Sequence, residues 1–197
     1  MPSSDSMCAE AHEIMVKRKG LDMDYIRNGR IPAVVNRFGS ITGTIVDMVP
    51  TRQGNGRTDG CVTFVEMEDM DGNTVHFVLT PAVYVVDFET LSVGMQCTFW
   101  YEADAPMPLV YPPRYNAVVA AQVKNGRMIN VGFYNMSLVN EDNTLQLRLD
   151  KTTEVRTTNN QYFQGSPANH NLVVVYGNST RSIPAQTTPM KVVVLCE

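Results

Sequence analysis

Thr74-Val-His-Phe-Val-Leu79 alternates along the chain, with Val75, Phe77 and Leu79 on one side and Thr74, His76 and Val78 on the other. A period of two marks a strand buried on one face. The run Cys61-Val-Thr-Phe-Val-Glu66 before it is rich in strand formers, and Glu68-Asp-Met-Asp-Gly-Asn73 lies between them. Asp71-Gly72 supplies positive φ at little cost, so the pattern predicts a β-hairpin with strands near 61–68 and 74–80.

A weaker copy follows about seventy positions later. Leu145, Leu147 and Leu149 fall where Val75, Phe77 and Leu79 fell, after Glu141-Asp-Asn143 in place of Asp71-Gly-Asn73. Phe99-Trp-Tyr101 corresponds to Val175-Tyr-Gly177. Pro108 and Pro113 correspond to Pro184 and Pro189, and each pair leads to an apolar run, Ala117–Ala120 and Val192–Leu195. Three landmarks in the same order predict a duplicated chain whose second copy is longer around Asn159–Asn171.

Elsewhere the pattern changes. Residues 5–19 read as one helix: Ser4 or Asp5 caps it, Glu10 and Glu13 come early, Lys17-Arg-Lys19 come late, and Gly20 stops it. Leu21–Pro32 reads as a connector. Phe38–Val49 reads as a long strand whose Gly39 and Gly43 suggest a bend or bulge. Thr51–Gly60 reads as a mobile loop, Ala82–Val86 as a short strand, and Leu91-Ser-Val-Gly-Met95 as a turn into a strand over Gln96–Glu102.

The bent first strand, the hairpin, that turn and a last strand after a long loop resemble the OB-fold, a five-stranded small barrel. The resemblance covers 33–124 and, more loosely, 127–197, and extends to uncharacterised tandem-barrel proteins of bacteria. It implies an all-β fold of two tandem OB-like small β-barrels with a short N-terminal helix. The expected layout is 1–32 for helix and connector, 33–125 for the first barrel and 126–197 for the second. Such barrels often bind oligonucleotides or oligosaccharides on one face.

Charge narrows the partners. Residues 61–125 carry 2 basic and 8 acidic side chains, against 8 and 7 in 1–60 and 6 and 5 in 126–197. The acidic middle argues against nucleic acid. No apolar run is long enough to cross a bilayer, and no signal peptide is visible, so a soluble, cytoplasmic product is the default expectation. The compartment itself stays open. Cys8, Cys61, Cys97 and Cys196 show no C-x-x-C spacing. Cys61 and Cys97 read as buried thiols, and Cys8 and Cys196 as exposed ends able to cross-link subunits.

Candidate chemistry is sparse. Asp69-Met-Asp-Gly-Asn73 is similar to part of a calcium loop, but its twelfth position is Thr80 rather than glutamate, so a plain turn is expected. His12, His76 and His170 lie in separate contexts. No G-x-S-x-G, H-E-x-x-H or Walker pattern occurs, so no catalytic residue, metal site or cofactor is expected. Pro106-Met-Pro-Leu-Val-Tyr-Pro-Pro-Arg-Tyr115 stands out as apolar, aromatic and stiffened by proline. It either folds back onto its own barrel or meets a ligand.

These readings point to a non-enzymatic binding or structural protein, self-associating or docking a protein partner through this loop and the N-terminal arm. The expected contact residues are Trp100, Pro108, Leu109, Tyr111, Arg114 and Tyr115. The alternative is an OB-type binder of single-stranded nucleic acid or carbohydrate, with Trp100, Tyr101, Tyr111 and Tyr115 stacking on the ligand.

Overall fold

The alternating segment becomes strand β3 (Thr74–Leu79), with Val75 and Phe77 buried. Two strands precede it: β1 (Phe38–Arg52) and β2 (Thr58–Asp69) pair antiparallel, and β2 pairs antiparallel with β3. The computed structural model describes residues 37–52, 56–106 and 108–196. They belong to one compact unit, Val35–Glu197. The helix read over 5–19, its connector and Cys8 lie outside the described residues.

The turn between β2 and β3 is a closed hydrogen-bonded loop. Asp69 Oδ1 accepts from the backbone N–H of Asp71 at 2.9 Å and of Asn73 at 2.8 Å, and Gly72 has φ +83°. These bonds, that from the Asn73 backbone first, hold the Asp69 carboxyl below its ordinary range. The carboxylate is thus used up locally, as a plain turn requires.

The chain continues through β4 (Tyr84–Val85), a single 3₁₀ turn (Val86–Phe88) and β5 (Gln96–Glu102), which pairs antiparallel with β1. Gly94, at φ +86°, turns the chain into β5. Then β6 (Arg114–Asn116) pairs parallel with β3, while β7 (Val119–Gln122) pairs antiparallel with β5 and parallel with β4. The result is a seven-stranded mixed sheet.

The remainder forms two smaller sheets. β8 (Met128–Tyr134), β11 (His170–Tyr176), β13 (Lys191–Leu195) and β10 (Glu154–Thr157) make a four-stranded sheet. β9 (Leu145–Leu147) and β12 (Ala185–Thr187) form a parallel pair. The order of pairings repeats. β9–β12 and β10–β13 are parallel, as are β3–β6 and β4–β7; β8–β11 and β11–β13 are antiparallel, as are β1–β5 and β5–β7. Arg114 lies across from His76, and Gln186 from Gln146. This sets Pro112 against Pro184, where spacing alone had set Pro108 against it.

The expectation of two OB-like barrels is corrected here. The mixed sheets are arranged as a β-solenoid of about three turns. The physical reason lies in the β5–β7 part of the seven-stranded sheet's outer face, which is covered rather than solvated. Trp100, Val119 and Ala121 pack with Val131, Val173, Val175 and Val193 in one shared core. Around Phe77 and Phe99 a second core fills the inner face, and Leu172, Val174, Val192 and Val194 turn to a third with Tyr134, Leu145 and Leu147. β11 and β13 are therefore buried on both faces and read as valine runs without alternation.

β1 shows why its glycines are needed. A Cβ on Gly43 would lie 2.2 Å from the Glu68 carbonyl oxygen and 2.9 Å from Asp69 Cα, both backbone atoms that cannot rotate away. The bulge itself comes just after, between Ile45 and Asp47. Gly43→Ala should therefore cost about 2 kcal/mol through overpacking. Urea denaturation measures this; a variant as stable as the parent would show that β1 and β2 can separate freely at this point.

Candidate docking site

Beyond the end of β5 the chain makes a turn, with the Ala105 N–H donating to the Glu102 carbonyl at 3.3 Å, and then enters the proline loop. The loop does not fold back into its own core. Leu109 is fully exposed, Tyr111 is 92% exposed and Val110 is half exposed. Proline at 106, 108, 112 and 113 restricts φ along the loop, so these side chains are presented with little ordering left to lose.

Beneath the loop lies a cleft of about 420 Å³, lined by Tyr101, Glu102, Pro106, Pro108, Arg114 and Tyr115 among others. Its aromatic part is set by strand register. Phe77 and Tyr115 face each other across β3 and β6, and the Tyr101 and Tyr115 ring centroids lie 4.1 Å apart. Phe77 carries the stack inward to Phe99 at 4.7 Å. Gly39 makes room for the Tyr101 ring, since a Cβ there would sit 2.5 Å from Tyr101 Cζ. Burial, then the charge and hydrogen bond of Tyr115, push the Tyr101 phenol up, so it stays neutral at ordinary pH.

Arg114, itself exposed, holds its guanidinium 4.7 Å from the centre of the Phe64 ring, a cation–π contact. On the same outer face His76 Nε2 meets Glu66 Oε2 at 3.3 Å. Glu102 and Asp104 are exposed on the turn at the cleft's rim. The Glu141 carboxyl is pushed up by burial, then by the charge of Asp142; the charge of Arg37 opposes this, and that of Asp104 adds to the rise. Glu102, Asp104, Glu141 and Asp142 thus put carboxylates at this end of the molecule, with Arg37 among them.

The structure brings Pro108, Arg114 and Tyr115 around one cleft and puts Leu109 and Tyr111 on the loop above it. Trp100 is not with them: it is 7% exposed, in the core shared between the sheets. Reading Trp100 as a contact residue is corrected on that ground, because alternate positions of β5 face opposite cores. Cys61 is exposed, contrary to the expected buried thiol, while Cys97 is buried. Burial, then the Glu89 charge, push the Cys97 thiol up to about 11. Cys196 is exposed as expected, and its expected cross-linking partner Cys8 lies outside the described residues.

A second constellation was not legible in the sequence. Asp87 and Phe88 both adopt left-handed backbone, at φ 59° and 54°. This brings Asp87 to Lys191 Nζ at 2.6 Å and to Arg127 Nη1 at 2.9 Å. Arg127 also reaches Glu89, which Lys124 contacts as well. The network ties the 3₁₀ turn to β13 and to the turn before β8.

Among the described residues, no three His, Cys, Asp or Glu side chains are grouped to hold a metal ion. Nor is any helix among them long and apolar enough to cross a membrane. No protein-family model matches the chain, and no curated protein matches it.

Proposed function

We propose that this chain is a non-enzymatic binding or structural protein that docks a protein surface through the Pro106–Tyr111 loop. One observation carries the reading: consecutive large apolar side chains at 109–111 stand in solvent on a loop stiffened by proline. An exposed apolar cluster of this kind marks interaction sites more often than ordinary surface. Tyrosine is well suited to anchor such a contact, having large area and few torsions to order. The alternative, a stacking surface for nucleic acid, loses Trp100 to the core and faces the acidic segment 61–125.

Hydroxyl-radical footprinting followed by mass spectrometry tests this. Tyr111 should oxidise readily in dilute pure protein. It should become protected either at high concentration, if the partner is a second copy, or in extract of the producing cells. Leu109→Ser with Tyr111→Ser should abolish any concentration-dependent rise in mass while changing stability by less than about 0.5 kcal/mol, as exposed positions do. Equal oxidation of Tyr111 in every state would refute docking through this loop.

A further inference from the structure

We infer that the cleft beneath the loop receives an extended, proline-rich peptide segment carrying a basic residue, supplied by a partner protein. The inference rests on the docking reading and specifies its partner.

The first argument is shape. The paired Tyr101 and Tyr115 rings, 4.1 Å apart and inclined by 35°, form a ridge in a cleft walled by Pro106 and Pro108. Ridged aromatic grooves suit polyproline II segments, whose rings seat between aromatic side chains and whose backbone is already extended before binding. Both rings are half-buried, and their hydroxyls can donate to the carbonyl groups that such a segment leaves unpaired.

Charge supplies the second argument. Glu102 lines the cleft and Asp104 follows on the same exposed turn. Of the other acidic side chains in 61–125, Asp87 and Glu89 pair with Lys191, Arg127 and Lys124, so Glu102 and Asp104 supply the negative charge at the cleft. Their carboxylates repel a polyanion and attract a lysine or arginine. Arg114 also lines the cleft, so a ligand's basic group is expected beside Glu102 rather than beside the guanidinium.

The third argument separates this occupant from a neutral saccharide, which could also stack on tyrosine. A saccharide would leave Leu109 and Val110 in water. A peptide with apolar residues between its prolines would cover them, extending the contact from the cleft onto the loop.

The test uses the full chain and three probes followed by fluorescence anisotropy or titration calorimetry. These are a labelled peptide of proline and leucine ending in paired arginines, the same peptide with glutamates instead, and a soluble neutral hexasaccharide. The arginine peptide should bind saturably below about 1 mM, and the glutamate version about tenfold more weakly. Glu102→Gln should weaken the arginine peptide about threefold, as expected for one exposed charge pair. Leu109→Ala should weaken it about fivefold. Both sites are exposed, so these variants keep the fold. Equal binding of the two peptides, no effect of Glu102→Gln, no peptide binding, or preference for the saccharide would each overturn the inference. Footprint protection of Tyr111 without peptide binding would leave the docking reading standing and sink only this one.

Discussion

Trp100→Ala should lower stability by about 4 kcal/mol, as expected when a buried aromatic leaves a cavity. For a chain of this size that corresponds to a drop in Tm of about 10 °C. The indole fills the core between the seven-stranded and four-stranded sheets, against Val119, Val173 and Val193. Its removal strips contact from both sheets at once, and the surrounding β-branched side chains have few rotamers with which to fill the space. Circular dichroism must follow the transition, because this is the single tryptophan. A loss below about 1 kcal/mol would mean that the sheets do not depend on this core. Binding through the proline loop should be unchanged in the variant at temperatures where it stays folded.

Arg127→Ala should be the most damaging charge substitution, costing about 3 kcal/mol near neutral pH. Arg127 and Glu89 are largely buried, with side chains 10% and 18% exposed. Removing the guanidinium leaves Glu89 desolvated with only Lys124, and leaves Asp87 with only Lys191. The arginine also donates to the Gln122 carbonyl at the end of β7, so a backbone acceptor loses its partner too. Urea denaturation at neutral pH measures the loss. A variant within about 0.5 kcal/mol of the parent would mean that the network carries no weight.

The same network sets an acid response. Burial raises the Asp87 carboxyl, but the hydrogen bond and charge of Lys191 and the charge of Arg127 outweigh it and hold Asp87 below the ordinary range. A carboxyl lowered in the folded state contributes stability above its unfolded value, about 4, and loses it as pH falls through the lower folded value. The parent should therefore lose this share of its stability as the pH falls below about 4. Arg127→Ala and Lys191→Ala should each show a shallower loss over that window. Identical acid slopes in parent and variants would remove Asp87 from the explanation.

Much of the strand content was legible because it rests on local alternation. Val75 with Phe77, and Leu145 with Leu147, are buried as their period of two predicts. Gln96–Glu102 is a strand over its whole predicted length. The Asp69–Asn73 turn follows from hydrogen bonds within five residues, and the exposed proline loop was conspicuous in composition alone. β11 was harder to read, since a strand buried on both faces loses the alternation that distinguishes it. The 51–60 segment was read as loop throughout, yet its ends extend β1 and open β2, because pairing partners across the sheet outweigh glycine and polar content.

The arrangement of the strands was not legible in the same way. The resemblance to OB-like barrels rested on the order of strands and turns, and that order does not say whether the outer face of a sheet meets water or another sheet. Trp100 illustrates the difference. As a strand aromatic between Phe99 and Tyr101 it looked free to stack on a ligand, and only the stacking of the sheets put it in a core. Asp87, Glu89, Lys124, Arg127 and Lys191 are scattered over a hundred positions and carry no motif, so nothing local marks them as partners. What the sequence determined by itself was therefore the alternation, the turn chemistry and the stiff apolar loop, because each depends on residues a few positions apart. Which faces are buried, which charges meet and which tyrosines line a cleft were decided by the tertiary structure, because desolvation and ion pairing depend on distances in space that the chain order does not encode.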